Sequence, residues 1–154
     1  MAASAFAHPV HEYRHSIMNI VIDTNVLLSS IGRAAPYRWL WDAVMDGRCS
    51  MLFCTAILLE YEEIIGRQSS KIVAENILQA ITKLPKSRRV IVFFRWNCIT
   101  ADPDDNKFVD CALAGNADCI VTNDGHFKVL AQRDFPKLRV LSPEELQPIV
   151  AGLA

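Results

Sequence analysis

No apolar run in this 154-residue chain approaches the roughly 18 residues needed to span a bilayer. The opening stretch MAASAFAHPVHEYRHS lacks both the basic leader and the apolar core of a secretory signal. A cytoplasmic location is therefore expected. Cysteines are few and do not pair by pattern: Cys49, Cys54, Cys98, Cys111 and Cys119 are odd in number and show no CxxC spacing. That argues against a disulfide framework or a thiolate zinc site and for free, buried thiols in a reducing compartment. Repeats, low-complexity stretches and linkers are absent, so one domain is expected. A net charge of −1 excludes a generic, strongly basic nucleic-acid binder.

What is present points to a globular enzyme-sized core. Apolar residues make up 51% of the chain, enough to fold without disulfide or metal staples. The charge is unevenly spread. From residue 67 to 95, Arg67, Lys71, Lys83, Lys86, Arg88, Arg89 and Arg95 face Glu75 alone, a net of +6 that leaves −7 for the rest. A basic flank beside an acidic centre suits a polyanion held near a carboxylate-bound metal.

Residues 1–17 have no hydrophobic period and read as a disordered N-terminal extension; residues 18–154 read as the folded domain. NIVID (19–23) is a short apolar run ending in an acid, the pattern of a buried strand. TNVLLSSIG follows as a helix. Pro36 suits the first turn of a second helix, and CSMLFC (49–54) reads as a strand. Thr55 is expected to cap the helix AILLEYEEIIGR, and Ser69 or Ser70 the next one. RVIVFF (89–94), DCIVT (118–122) and LRVLS (138–142) supply three more strands. DPDDN opens a helix, NDGHFKVLAQR reads as a turn and helix, and Ser142, Pro143 and Glu145 form the start of the last helix. Strands alternating with helices predict an α/β fold with a central, mainly parallel five-stranded sheet.

In such sheets ligands bind beyond the carboxyl ends of the strands. Asp23 ends the first strand. Glu60 lies early in the helix after the second. Asp104 and Asp105 follow the third by a short loop, and Asp124 follows the fourth. Carboxylates gathered at one edge call for a hard cation, Mg²⁺ or Mn²⁺. A cation so held can activate water and offset charge at a phosphoryl group. The crowding of Asp102, Asp104 and Asp105 then becomes tolerable, because an ion and a helix N-terminus both offset it. Asp102 reads chiefly as a cap. Asn25 and Thr122 are small polar groups at the same edge, suited to orienting a ligand. Periodicity leaves Glu60 and Glu62 open; Glu60 is preferred for its place nearer the helix start.

NIVIDTNVLLS, ILLEYEEII and DPDDNKFVDCALAGNADCIVTND, in that order and spacing, resemble the PIN-domain family of metal-dependent ribonucleases. The resemblance runs from residue 19 to about 146 and implies an α/β/α sandwich. It also implies that Asp23, Glu60, Asp105 and Asp124 form a metal-binding, catalytic quartet for RNA hydrolysis. The nearer likeness is to toxins of bacterial toxin–antitoxin pairs, which implies a cognate antitoxin and a homodimer. Lys86, Arg88 and Arg89 are candidates to hold the RNA backbone.

Three rivals have sequence support. HEYRH (11–15) matches the zinc-protease pattern H-E-x-x-H, but Pro9 precedes it and no supporting third ligand is evident. A haloacid-dehalogenase-like phosphatase also begins with a strand and an Asp, but it requires a second Asp where this chain has Asn25. A catalytically silent PIN fold that binds RNA or protein is the non-enzymatic alternative.

Overall fold

The computed structural model describes residues 17–153. The HEYRH stretch and all of the expected extension except Ile17 lie outside the described residues. Five strands form one sheet: β1 (Met18–Ile22), β2 (Cys49–Phe53), β3 (Arg88–Arg89), β4 (Cys119–Val121) and β5 (Val140–Leu141). Their order is β3-β2-β1-β4-β5, and every pairing is parallel. β1 and β2 sit inside the sheet, which explains their near-continuous apolar runs.

Among the described residues, six α-helices connect and cover the strands. α1 (Thr24–Ile31) and α2 (Arg38–Met45) join β1 to β2; α3 (Thr55–Gln68) and α4 (Lys71–Lys83) join β2 to β3. α5 (Asn106–Ala114) precedes β4, and α6 (Pro143–Ala151) follows β5. Right-handed crossovers put α1 to α4 on one face and α5 on the other, and α5 packs against β1, β2 and β4. The core is continuous across both interfaces and includes Ile20, Leu27, Met51, Tyr61, Phe108 and Phe127. No helix among the described residues is long and apolar enough to cross a membrane.

The strand order reverses between β1 and β4. Such a switch point leaves a crevice beyond the carboxyl ends of the two strands. Asp23 and Thr122 follow those two ends directly.

Local signals were met at several helix starts. Ser70 accepts a hydrogen bond from the Val73 N–H at 3.2 Å, and Ser142 one from the Glu145 N–H at 3.1 Å. Three expectations need correction. Cys54, not Thr55, occupies the N-cap of α3. The strand expected over 89–94 pairs only at Arg88–Arg89, with one further bond from the Val90 N–H to the Phe53 carbonyl at 2.7 Å. Its β-branched and aromatic composition is strand-like, but its neighbour β2 turns away into α3 after Phe53, so the rest finds no partner. Ile91, Phe93 and Phe94 are left exposed there. Lastly, the segment Gly125–Gln132 is a 3₁₀ helix, and its buried residues, Phe127 and Leu130, fall three apart, as three residues per turn requires.

Gly115 shows why one turn excludes a side chain. A Cβ there would lie 2.7 Å from Val90 Cγ2 and 2.9 Å from Leu52 Cδ1. α5 therefore turns into β4 directly against the sheet.

Candidate active site

Asp23 follows β1, and its backbone N–H extends the ladder to the Val121 carbonyl at 3.0 Å. It holds the N-cap position of α1, yet its side chain makes no capping hydrogen bond. Instead its Oδ2 accepts from the Thr122 hydroxyl at 2.7 Å. Thr122 is buried and also accepts from the Asp124 N–H at 3.0 Å. One hydroxyl thus ties together the ends of β1 and β4. Burial pushes the Asp23 carboxyl above its ordinary value; the Thr122 hydrogen bond and the nearby Thr24 N–H oppose this, while the charges of Asp124 and Glu60 add to it.

Asp105 is delivered by the loop before α5. Asp102 caps a 3₁₀ turn, Pro103–Asp105, by accepting from the Asp104 N–H at 3.2 Å. Behind the loop, Asn106 is buried and makes three bonds. Its amide donates to the carbonyls of Ile99 (2.8 Å) and Pro103 (3.0 Å), and its oxygen accepts from the Ile99 N–H (2.9 Å). Asp105 is pushed up to about 6, chiefly by burial; His126 opposes the shift, and Asp102, Asp124 and Asp23 reinforce it. His126 Nδ1 lies 3.3 Å from Asp105 Oδ2 and 3.5 Å from Asp124 Oδ1. Asp124 also accepts from the His126 N–H at 2.9 Å, so the expected turn chemistry is present.

Glu60, on α3, completes the group. Thr24 donates its hydroxyl to Glu60 Oε2, and Lys107 Nζ lies 2.9 Å from Oε1. Lys107 also pairs with Asp104 at 3.0 Å. Burial works against the Lys107 charge, but its hydrogen bonds to Glu60 and Asp104 prevail and its pKa is raised. Glu62 and Glu63 are exposed on the same helix.

The structure therefore brings Asp23, Glu60, Asp105 and Asp124 to one edge, with Thr122 and Asp102 beside them. Asn25 is exposed at that edge, with no side-chain hydrogen bond among the described residues. The expected cations divide. Lys86 donates to the Gly47 carbonyl at 3.1 Å, and Arg88 to the Gly115 carbonyl at 2.7 Å. Both carbonyls precede strands, so these side chains lie at the amino edge, opposite the acids. They sit there because β3 is parallel to β2 and residues 86–88 enter it. Arg89 instead lines a groove of about 750 Å³ with Arg95, Lys107, Cys54, Asp104 and Asp110.

Sequence reasoning missed Lys107, Asn106, Thr24 and His126. Lys107 stands three residues after Asp104, a helical pairing distance, which was the available signal. Asn106 carried none beyond its place in DPDDN.

The donors suit a hard divalent ion. They are oxygens, and among the described residues neither Asp23, Asp105 nor Asp124 has a lysine or arginine within ion-pair distance. Asp102, Asp105 and His126 each present a donor atom within 4.8 Å of the others'.

A parallel sheet with carboxylates collected at its switch point defines a class of α/β protein with an anionic edge site. A family model described as "PIN domain" matches residues 19–126, and the chain belongs to that family. Among solved structures it is similar to a chain in the crystal structure of VapBC2 from Rickettsia felis bound to a DNA fragment from their promoter. The two are 17% identical with a TM-score of 0.53, over 81% of this chain and 98% of that one; the likeness is one of fold. The chain shows no significant similarity to any curated protein.

Proposed function

We propose that this PIN domain is a divalent-metal-dependent endoribonuclease, the toxin of a toxin–antitoxin pair. The observation that carries the reading is the gathering of four acids at the carboxyl edge, three of them without a lysine or arginine partner among the described residues. Asp23, Glu60, Asp105 and Asp124 would hold the ion, Mg²⁺ or Mn²⁺. Bound there, it would supply positive charge against the phosphodiester oxygens and lower the pKa of water.

The remaining work falls to the chain. Thr122 fixes the Asp23 carboxylate, and Asn106 fixes the loop that presents Asp105. Lys107 and Thr24 orient Glu60. His126 holds Asp105 and Asp124 in a common orientation. The RNA backbone is assigned to Arg89 and Arg95, which line the groove beside Lys107. Lys86 and Arg88 are withdrawn from that role, because they hold carbonyls at the other edge. A cognate antitoxin, a second copy of the chain and a cytoplasmic location follow from the family resemblance.

Asp23→Asn should lower Mn²⁺-dependent cleavage of RNA by at least about 10²–10³-fold while leaving the circular dichroism spectrum unchanged. A fully active Asp23→Asn protein, free of contaminating nuclease, ends the reading. The Lys107–Glu60 pair favours one alternative, a binding module whose acid site is partly neutralised from within. Calorimetry that detects no Mn²⁺ binding would support it.

A further inference from the structure

The chain that follows β3 is fixed at both ends. The Val90 N–H donates to the Phe53 carbonyl at 2.7 Å, and the Trp96 N–H donates to Asp110 Oδ1 at 3.0 Å. Between these anchors Phe93 is 92% exposed and Phe94 63% exposed. Half-buried Trp96 meets Phe94 edge to face at 4.9 Å and Phe135 at 5.5 Å, and Phe135 is 77% exposed. Rings held on an anchored segment and left in water form an apolar patch of the kind that marks a binding surface.

The setting is basic. Arg89 and Arg95 bracket Phe93 and Phe94, with no acid between residues 88 and 101. Phe135 lies in sequence among Arg133, Lys137 and Arg139, against Asp134 alone. Arg89, Ile91, Val92 and Arg95 line the groove that Asp104 and Lys107 also line, so Phe93 and Phe94 stand at its rim. The two acids of the groove are engaged: Asp104 by Lys107 and Asp110 by the Trp96 N–H. Lys107 in turn pairs with Glu60, so the groove reaches the acid edge.

We propose that Phe93, Phe94 and Phe135 form a stacking platform for unpaired bases, which makes single-stranded RNA the substrate; the assignment rests on the nuclease reading. A single strand offers a π face to each ring and a phosphate to each arginine within one repeat. In a duplex the bases are already stacked on one another and closed to such rings. Continuity of the patch with the acid edge favours the substrate over a protein partner. Arg89 and Arg95 then carry the backbone along the groove, while the rings hold bases beyond its rim.

The test uses full-length protein in EDTA, so that RNA is bound and not cut, with a fluorescent oligouridine of about 12 nucleotides as probe. By anisotropy, Phe93→Ala and Phe135→Ala should each weaken binding by about fivefold to a hundredfold. Both side chains are exposed, so the fold should be undisturbed. The salt dependence should keep its slope, because no phosphate contact is lost, whereas Arg89→Ala flattens it. A duplex of the same length should bind about tenfold more weakly or worse. With 5-iodouridine in the probe, irradiation should cross-link peptides that carry Phe93, Phe94 or Phe135. Equal binding of strand and duplex overturns the platform, as does parental binding by both phenylalanine variants while Arg89→Ala is impaired; either result leaves the nuclease reading standing. Phenylalanine variants that lose a dimer in sedimentation yet bind RNA as before assign the face to a second copy and also overturn it. A parent protein that binds the strand through these rings but never cuts it with Mn²⁺ upholds the platform and ends the nuclease reading.

Discussion

The two flanks of the acid site are built on opposite principles. On the α3 flank, Glu60 is held by Thr24 and neutralised by Lys107, which also serves Asp104. On the β4 flank, Asp105 feels the charges of Asp102, Asp124 and Asp23, and among the described residues the one basic group beside Asp105 and Asp124 is His126. One flank is electrostatically complete as folded. The other keeps a raised carboxyl and mutual repulsion, a local cost that binding of a cation would relieve. The contrast suggests a division of labour. On the proposed reading the complete flank would be scaffold, and the incomplete flank would supply affinity for an ion.

The largest test of this contrast removes the repulsion. Asp105 titrates at about 6 in the fold against ~3.9 for an ordinary aspartate. The native state therefore binds this proton more readily than the unfolded chain. Stability from this group falls as pH rises from about 4 to about 6, and the penalty stays constant above that. Asp105→Asn in chelator-treated protein should thus be stabilising by about 2 kcal/mol at pH 8. That corresponds to a melting temperature roughly 5 °C higher, and the gain should fade below pH 5. A thermal melt series across pH reads it. Equal or lower stability at pH 8 would mean the flank is not strained.

Next in size is the reverse change on the complete flank. Lys107→Met strips Glu60 and Asp104 of their shared partner. Stability should fall by about 1–3 kcal/mol in urea titration, while Mn²⁺ should bind about threefold to tenfold more tightly by calorimetry, because ligand charge sets affinity. Unchanged binding would show that Glu60 lies outside the ion's reach.

Thr122→Val should cost about 1 kcal/mol, since the buried Asp23 carboxylate and the Asp124 N–H both lose a partner. The cost should shrink on acidification, because protonated Asp23 has less need of a donor. The smallest effects concern the cations. Arg89→Ala should weaken RNA binding by about threefold and flatten its salt dependence. Lys86→Ala should leave both unchanged in filter binding.

These differences bear on what a sequence can reveal. Asp23 and Asp124 could be placed at the carboxyl edge because they follow the apolar runs of β1 and β4, and strand ends in parallel sheets share an edge; Asp105 follows β3 only after a long loop, so its place rested on the DPDDN turn and the helix it opens. Glu60 was not separable from Glu62 by period, since both border the apolar face. In the fold the two differ: Glu60 is partly enclosed against Thr24 and Lys107, and Glu62 is exposed. The outer strand was overread for a different reason. RVIVFF has strand composition, but pairing depends on how far the neighbour continues, and β2 stops at Phe53. The position of Lys86 and Arg88 was equally hidden, because a one-dimensional basic cluster says nothing about which edge it faces. Partnerships across the chain, such as Lys107 with Glu60, are forty-seven residues apart in sequence and leave no local pattern.

Asn106 has a consequence for timing. By lashing Ile99 and Pro103 together from inside, it acts as a splint on the acid-bearing loop. The loop is therefore preformed: an ion binding there, as proposed, would meet oxygens already in formation and need not order the chain to be captured.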